Sequence, residues 1–160
     1  MRSVTRFGWM AYGLAAAIVA ADQAAKGFLL NVYGLDGRGA VPLVGPLALR
    51  LVWNPGISFG LFRYDSLWTR WALAAFSLTV ATALAIWARR IERPLSGLAV
   101  GLVMGGAVGN LIDRVRYGAV ADFLDATRLH FPWVFNVADS AISIGIALLI
   151  AESLLSPRKV

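Results

Sequence analysis

Two stretches of this chain, Trp71–Ala88 and Pro94–Ile112, run for 18 and 19 residues without a charge. A bilayer core about 30 Å thick is crossed by about 20 helical residues. Backbone N–H and C=O groups enter hydrocarbon only when they are satisfied inside the segment, so such runs must be helices. Two further segments fit the same description. Phe7–Ala21 is uncharged and its apolar run resumes past Asp22 and Lys26 to Tyr33, and a last apolar segment surrounds and follows Asp139. The spans expected are 8–30, 68–89, 94–113 and 137–155. The fold class is then an all-α membrane protein with four transmembrane helices, forming one domain over 1–160. Trp68, Trp71 and Trp87 stand where interfacial anchors stand, and Pro94 suits a first helical turn. Arg2 and Arg6 before an apolar run imitate a cleaved signal sequence. The run continues through a charged pair without a polar break, so the first span is expected to be retained.

Composition agrees with this reading and narrows the chemistry. The chain is 59% hydrophobic and 15% charged, against about a quarter charged in soluble domains. It has no cysteine and one histidine, His130. That excludes disulfides, thiol catalysis and Cys-ligated zinc, and leaves no ligand set for a His-based metal site; no cofactor is expected. The net charge is +6, but the basic residues are scattered and form no nucleic-acid-binding module. Anionic membrane lipids are the simpler partner for them. With four spans both termini share a side, which holds Arg2, Arg6, the short RRIER link (Arg89, Arg90, Arg93), Arg158 and Lys159. The opposite side carries its arginines over much longer loops. Charge density in short loops puts the termini in the cytoplasm, so segments 31–67 and 114–136 face outward.

The outer segment 31–67 is more than a tether. LALRLVW reads as a strand after two prolines, and NPGISFGLF opens on turn chemistry before Ile57, Phe59, Leu61 and Phe62. A small outward-facing β-rich segment between helices 1 and 2 is expected, with a short amphipathic piece on the membrane surface. Within the spans, Asp22 and Lys26 are four residues apart and share a helix face, where they neutralise each other as a structural pair. Gly97, Gly101, Gly105 and Gly109 form a ridge for close helix approach. That ridge ends in Asn110, Asp113 and Arg114, which packing alone does not explain.

Four of the nine acidic residues fall within 113–139: Asp113, Asp122, Asp125 and Asp139. Two have similar settings, AVADFLD and NVADSAI. Neighbouring helices can bring Asp122 and Asp139 face to face at an apolar boundary. Two close carboxylates there share a proton, because like charge and desolvation discourage double ionisation. The ionised member can then take a proton from water while the other donates to a scissile carbonyl. Spacing alone favours a plainer reading of Asp139, as the third residue of a helix capped by Asn136; the two readings are compatible. Asp125 reads as a solvated loop charge. GISFG also matches G-x-S-x-G, with Ser58, Asp122 or Asp125, and His130 in hydrolase-like order, but the large parallel sheet of that fold has no room here. Ser140 beside Asp139 is a further possible nucleophile. A non-enzymatic membrane carrier using Asp22, Lys26 and Asp113 as a proton relay is the competing class.

Taken together, DQAAK at 22–26, NPGISFGLF at 54–62, GGAVGNLIDRVRYGAVADFLD at 105–125 and FNVADSAI at 135–142 resemble the lipoprotein signal peptidase (signal peptidase II) family. The resemblance covers essentially the whole chain. It implies an aspartyl endopeptidase of the bacterial inner membrane, with its active site near the outer face. Its substrates would be lipid-modified prolipoproteins, cut just before a diacylglyceryl-modified cysteine. By motif position the catalytic pair would be Asp122 and Asp139. Asn54, Gly56, Asn110, Arg114 and Asn136 match positions around the substrate, and Asp22, Lys26 and Asp113 match positions that support the site. Ser58 then falls where the family carries a small residue, without a nucleophilic role.

Overall fold

The computed structural model describes residues 3–56, 67–129 and 133–155. Its main elements are α1 (Arg6–Gly27), β1 (Val41–Pro42), β2 (Ala48–Asn54), α2 (Leu67–Ala88), α3 (Pro94–Tyr117), β3 (Val120–Asp125), β4 (Val134–Phe135) and α4 (Val137–Leu155). All four helices are long and apolar enough to cross a bilayer. The expected spans of helices 2 and 4 agree with α2 and α4 to within a residue. α1 starts at Arg6 because Thr5 caps it, its side-chain oxygen accepting from Gly8 N at 3.0 Å. It continues through a π-helical turn at Phe28–Val32.

α3 is the central helix and packs on α1, α2 and α4. The glycine ridge explains how. A Cβ at Gly101 would lie 2.8 Å from Ala11 O, and one at Gly105 2.8 Å from Ala15 O, so the α1 backbone rests directly on α3. Gly106 meets Ala138 and Ile142 of α4, and Gly145 of α4 meets Val103, Ala99 and Leu102 in return. Small residues let backbones approach where lipid offers no hydrophobic drive to helix pairing. Tyr12 adds a cross-link by donating to Ala85 O of α2 at 2.6 Å.

Two expectations are corrected. Helix 3 was expected to end at Asp113, but α3 runs to Tyr117 and stops at Gly118, whose φ of 83° closes it with an N–H to Arg114 O. The charge of Asp113 does not end the span because Lys26 neutralises it inside the bundle. The β-rich part is also larger than the 31–67 segment. It is a four-stranded antiparallel sheet in the order β1-β2-β3-β4, and half of its strands come from between α3 and α4. The expected LALRLVW strand is β2. It pairs with β3 so that Val52 faces Asp122 and Asn54 faces Val120, with a bulge between Leu49 and Val52. Beneath the sheet, Leu29, Leu35 and Phe123 form a buried cluster with Tyr33, Leu49, Leu124 and Val137 around it. This cluster fixes the sheet over the ends of α1, α3 and α4. The amphipathic piece expected around Ile57, Phe59, Leu61 and Phe62, and also Ser58 and His130, lie outside the described residues.

Candidate active site

Asp122 is on β3 and 1% exposed. Asp139 is in the first turn of α4. Asn136 joins them. Its Nδ2 donates to Asp122 Oδ1 at 2.7 Å, and its Oδ1 accepts from Asp139 N at 2.8 Å. The Asn136 N–H in turn donates to Asp139 Oδ2 at 3.3 Å, which completes the capping box expected from the spacing. Asn110 on α3 donates from Nδ2 to Asp139 Oδ1 at 2.7 Å. Asn54, at the end of β2, donates from Nδ2 to Asp122 Oδ2 at 3.0 Å. Each carboxylate therefore has an amide donor on each oxygen, and all these amides come from different elements or from the helix cap. Burial, and after it the charge of Asp139, push the Asp122 carboxyl up to about 7, against the hydrogen bonds from Asn54 and Asn136 and the charge of Lys26.

Gly56 forms a tight turn, its N–H donating to Asn54 Oδ1 at 2.8 Å. Its φ of 112° is strained for a side-chain-bearing residue. A Cβ there would also collide with Leu73 and come 3.6 Å from Arg114 Nη2. Arg114 donates from Nη1 to Asn110 O at 3.3 Å. Its Nε is buried without a hydrogen-bond partner among the described residues. As the sequence requires of adjacent helical residues, Arg114 points away from the direction of Asp113.

Below this layer is a closed ionic cluster. Lys26 Nζ lies 2.7 Å from Asp22 Oδ2 and 2.7 Å from Asp113 Oδ2, with all three side chains buried. The pair expected between Asp22 and Lys26 is thus a triad. Asp113 Oδ2 also accepts from Ala121 N at 3.1 Å, and Asp22 Oδ1 from Ala138 N at 3.0 Å. These two N–H groups belong to the residues immediately before Asp122 and Asp139.

Sequence reasoning missed two further residues. Gln23 Nε2 donates to Asp113 Oδ1 at 2.9 Å, to Asp22 Oδ2 at 3.1 Å and to Gly109 O at 3.3 Å, closing the triad from one side. Its place in DQAAK was the available signal. Arg70, at the start of α2, donates to Arg114 O at 2.8 Å and Val115 O at 2.7 Å, satisfying the last carbonyls of α3. No local pattern could reveal that contact between helices. Asp125 is a correction: it is buried at the end of β3 instead of being a solvated loop charge. Hydrogen bonds from Thr127 hold its carboxyl below the usual carboxylate range. Arg50 Nε is 2.8 Å from Asp125 Oδ2, close enough for an ion pair but not aligned for a hydrogen bond. Among the described residues, no three His, Cys, Asp or Glu side chains come together as a metal-holding group.

The geometry has counterparts in known proteins. A bacterial membrane enzyme solved by the in meso method at 1.9 Å resolution superposes with a TM-score of 0.80 at 23% identity, over 98% of this chain and 99% of the other, so the fold is shared. A lipoprotein signal peptidase from Caulobacter vibrioides is 52% identical over 155 residues, which is 96% of this chain and 92% of that protein. One from a Methylobacterium species is 43% identical over 146 residues, 91% of this chain and 88% of that protein. The family model described as signal peptidase (SPase) II matches residues 14–155. With the whole arrangement of helices and sheet covered, the chain belongs to the signal peptidase II family.

Proposed function

We propose that Asp122 and Asp139 are the acid–base pair with which this chain, a multi-pass inner-membrane aspartyl peptidase, removes signal peptides from prolipoproteins. The observation that supports the pair most directly is the position of Asn136, whose one amide contacts the carboxylate of Asp122 and the backbone N–H of Asp139. We assign the shared proton to Asp122, the more desolvated of the two, and the base role to Asp139. Asp139 takes a proton from a water molecule as the water oxygen attacks the scissile carbonyl carbon, and Asp122 gives its proton to the carbonyl oxygen. In the resulting gem-diol, Asp139 passes its proton to the amide nitrogen and the C–N bond breaks. A diol proton returns to Asp122, leaving a signal-peptide carboxyl and the free amine of the lipid-modified cysteine.

Asn54, Gly56, Asn110, Arg114 and Asn136 form the substrate-contacting rim in this reading, and Asp22, Lys26 and Asp113 support it from below. The diacylglyceryl chains stay in hydrocarbon, where each buried CH₂ is worth about 0.8 kcal/mol. The pair is at the sheet end of the bundle, which we assign to the outer face, with the termini cytoplasmic and residues 1–160 acting as one unit. Incubating the purified protein with lipidated and unlipidated prolipoprotein tests this. The lipidated form is expected to be cut at the bond before the modified cysteine; cleavage of neither removes the reading.

A further inference from the structure

The hydrogen bonds to the carboxylates of Asp122 and Asp139 come from β2, α3 and the cap of α4. α2 meets the site through Arg70 and Leu73, which are three residues apart and so share a helix face. Leu73 packs on Gly56 and fills the space that a Cβ there would need. Arg70 lies along the end of α3. Its Nε donates to Arg114 O at 2.8 Å and its Nη2 to Val115 O at 2.7 Å. These donors form one edge of the planar guanidinium, so the side chain grips two successive carbonyls as a fork. Its Nη1 is 3.4 Å from the place a Cβ on Gly118 would take, so the same group rests on the turn that closes α3. Gly118 N–H shares the grip, donating to Arg114 O at 3.1 Å.

What Arg70 grips leads into the site on both sides. Before the turn, the Arg114 side chain donates to Asn110 O at 3.3 Å, and its Nη2 would come 3.6 Å from a Cβ on Gly56. After the turn, the chain enters β3 at Val120 and reaches Asp122. We propose that Arg70 is a positioning residue for the peptidase reaction: its fork fixes the α3–β3 turn and so sets Arg114 against Asp122. The inference rests on the peptidase reading above. Charge and geometry are separable at this position. A lysine keeps positive charge at the negative end of the helix dipole, but its ammonium is a point charge without two parallel donors. A residue that only capped α3 would govern stability. A fork that places reacting groups also governs turnover, because a displacement of about 1 Å far from the chemistry costs up to about 10²-fold.

The test uses the purified full chain in detergent micelles, a synthetic lipidated prolipoprotein peptide, and the variants Arg70→Met and Arg70→Lys. Thermal unfolding and initial rates are measured on the same samples, with kcat counted per folded molecule. Arg70→Met is expected to unfold at lower temperature and to lose about tenfold in kcat, with KM within about twofold of the wild type. Arg70→Lys is expected to recover most of the stability while kcat stays about tenfold low. Wild-type kcat in both variants marks Arg70 as a helix cap alone and overturns the inference. A kcat that returns with stability in Arg70→Lys overturns it too, as does a raised KM with kcat kept, which marks a substrate contact. If Arg70→Met does not fold, Arg70→Lys decides by itself. Those outcomes leave the peptidase reading intact, whereas wild-type protein that does not cut the peptide overturns both.

Discussion

Ala138 N–H donates to Asp22 Oδ1 at 3.0 Å, so a carboxylate carried by α1 fixes the backbone immediately before Asp139. Asp113 does the same for Asp122 through Ala121 N–H at 3.1 Å. Among the described residues, Lys26 is the cation paired with both Asp22 and Asp113. The backbone N–H groups preceding both members of the proposed pair are therefore linked, through two carboxylates, to a lysine that hydrogen-bonds neither member.

Removing that lysine should break both supports. Lys26→Met leaves Asp22 and Asp113 buried without their counter-charge, a loss of about 3–5 kcal/mol for a broken buried pair. Thermal unfolding in detergent is expected to move sharply down, with cleavage falling together with folded protein. Wild-type stability in this variant would show that the cluster does not hold the site.

The proposed pair itself should separate chemistry from folding. Asp122→Asn and Asp139→Asn are each expected to lower kcat by at least about 10²–10⁴, the range for lost general acid–base catalysis. Both variants should insert and unfold much as the wild type does. Ser58→Ala and His130→Ala should retain most activity. The reverse pattern would transfer the chemistry to a serine mechanism.

The raised Asp122 carboxyl gives a signed pH dependence. If Asp122 supplies the proton, the rate should fall as pH rises through about 7. Because its folded value exceeds its ordinary value of 3.8, the native state binds the extra proton between the two. Stability from this group is thus full at low pH and declines as pH rises towards about 7. Asn54 holds the value down by donating to the ionised form. Asn54→Leu should therefore shift the alkaline limb of the rate profile to higher pH, and a limb that moves down or stays fixed would contradict the assignment.

Topology can be read directly because the chain lacks cysteine. Single cysteines at Gly39 and at Arg90 should differ towards a membrane-impermeant thiol reagent applied to intact cells. Under the orientation proposed from the density of arginines in the short α2–α3 link, Gly39 should label and Arg90 should not. Labelling at Arg90 alone would invert the orientation.

The helices were legible because hydropathy is a local property: Trp71–Ala88 and Pro94–Ile112 announce themselves without any partner. β3 was not legible. Its residues are buried on both faces except at Leu124, so VADFLD shows no alternation, and its pairing with β2 spans some seventy positions of chain. The end of α3 was misplaced for a related reason. Asp113 looks like a stop until Lys26, far away in sequence, is known to be beside it. Asp122 and Asp139 stood out through their matching surroundings, and the Asn136 cap followed from spacing. The bonds from Gln23 to Asp113 and from Arg70 to Arg114 O cross between helices, where a single sequence carries no spacing to read.

The glycine ridge, the lysine and the capped aspartate belong to different spans, and this bears on how the protein is made. Asp22 and Lys26 enter the membrane with the first span, while Ala138 and Asp139 enter with the last. Until that final span is threaded, one carboxylate of the proposed pair is missing and Ala138 N–H is not there to donate to Asp22. On the proposed assignment, a half-synthesised chain in the membrane is chemically idle, and the capacity to cut proteins appears only on completion of the product.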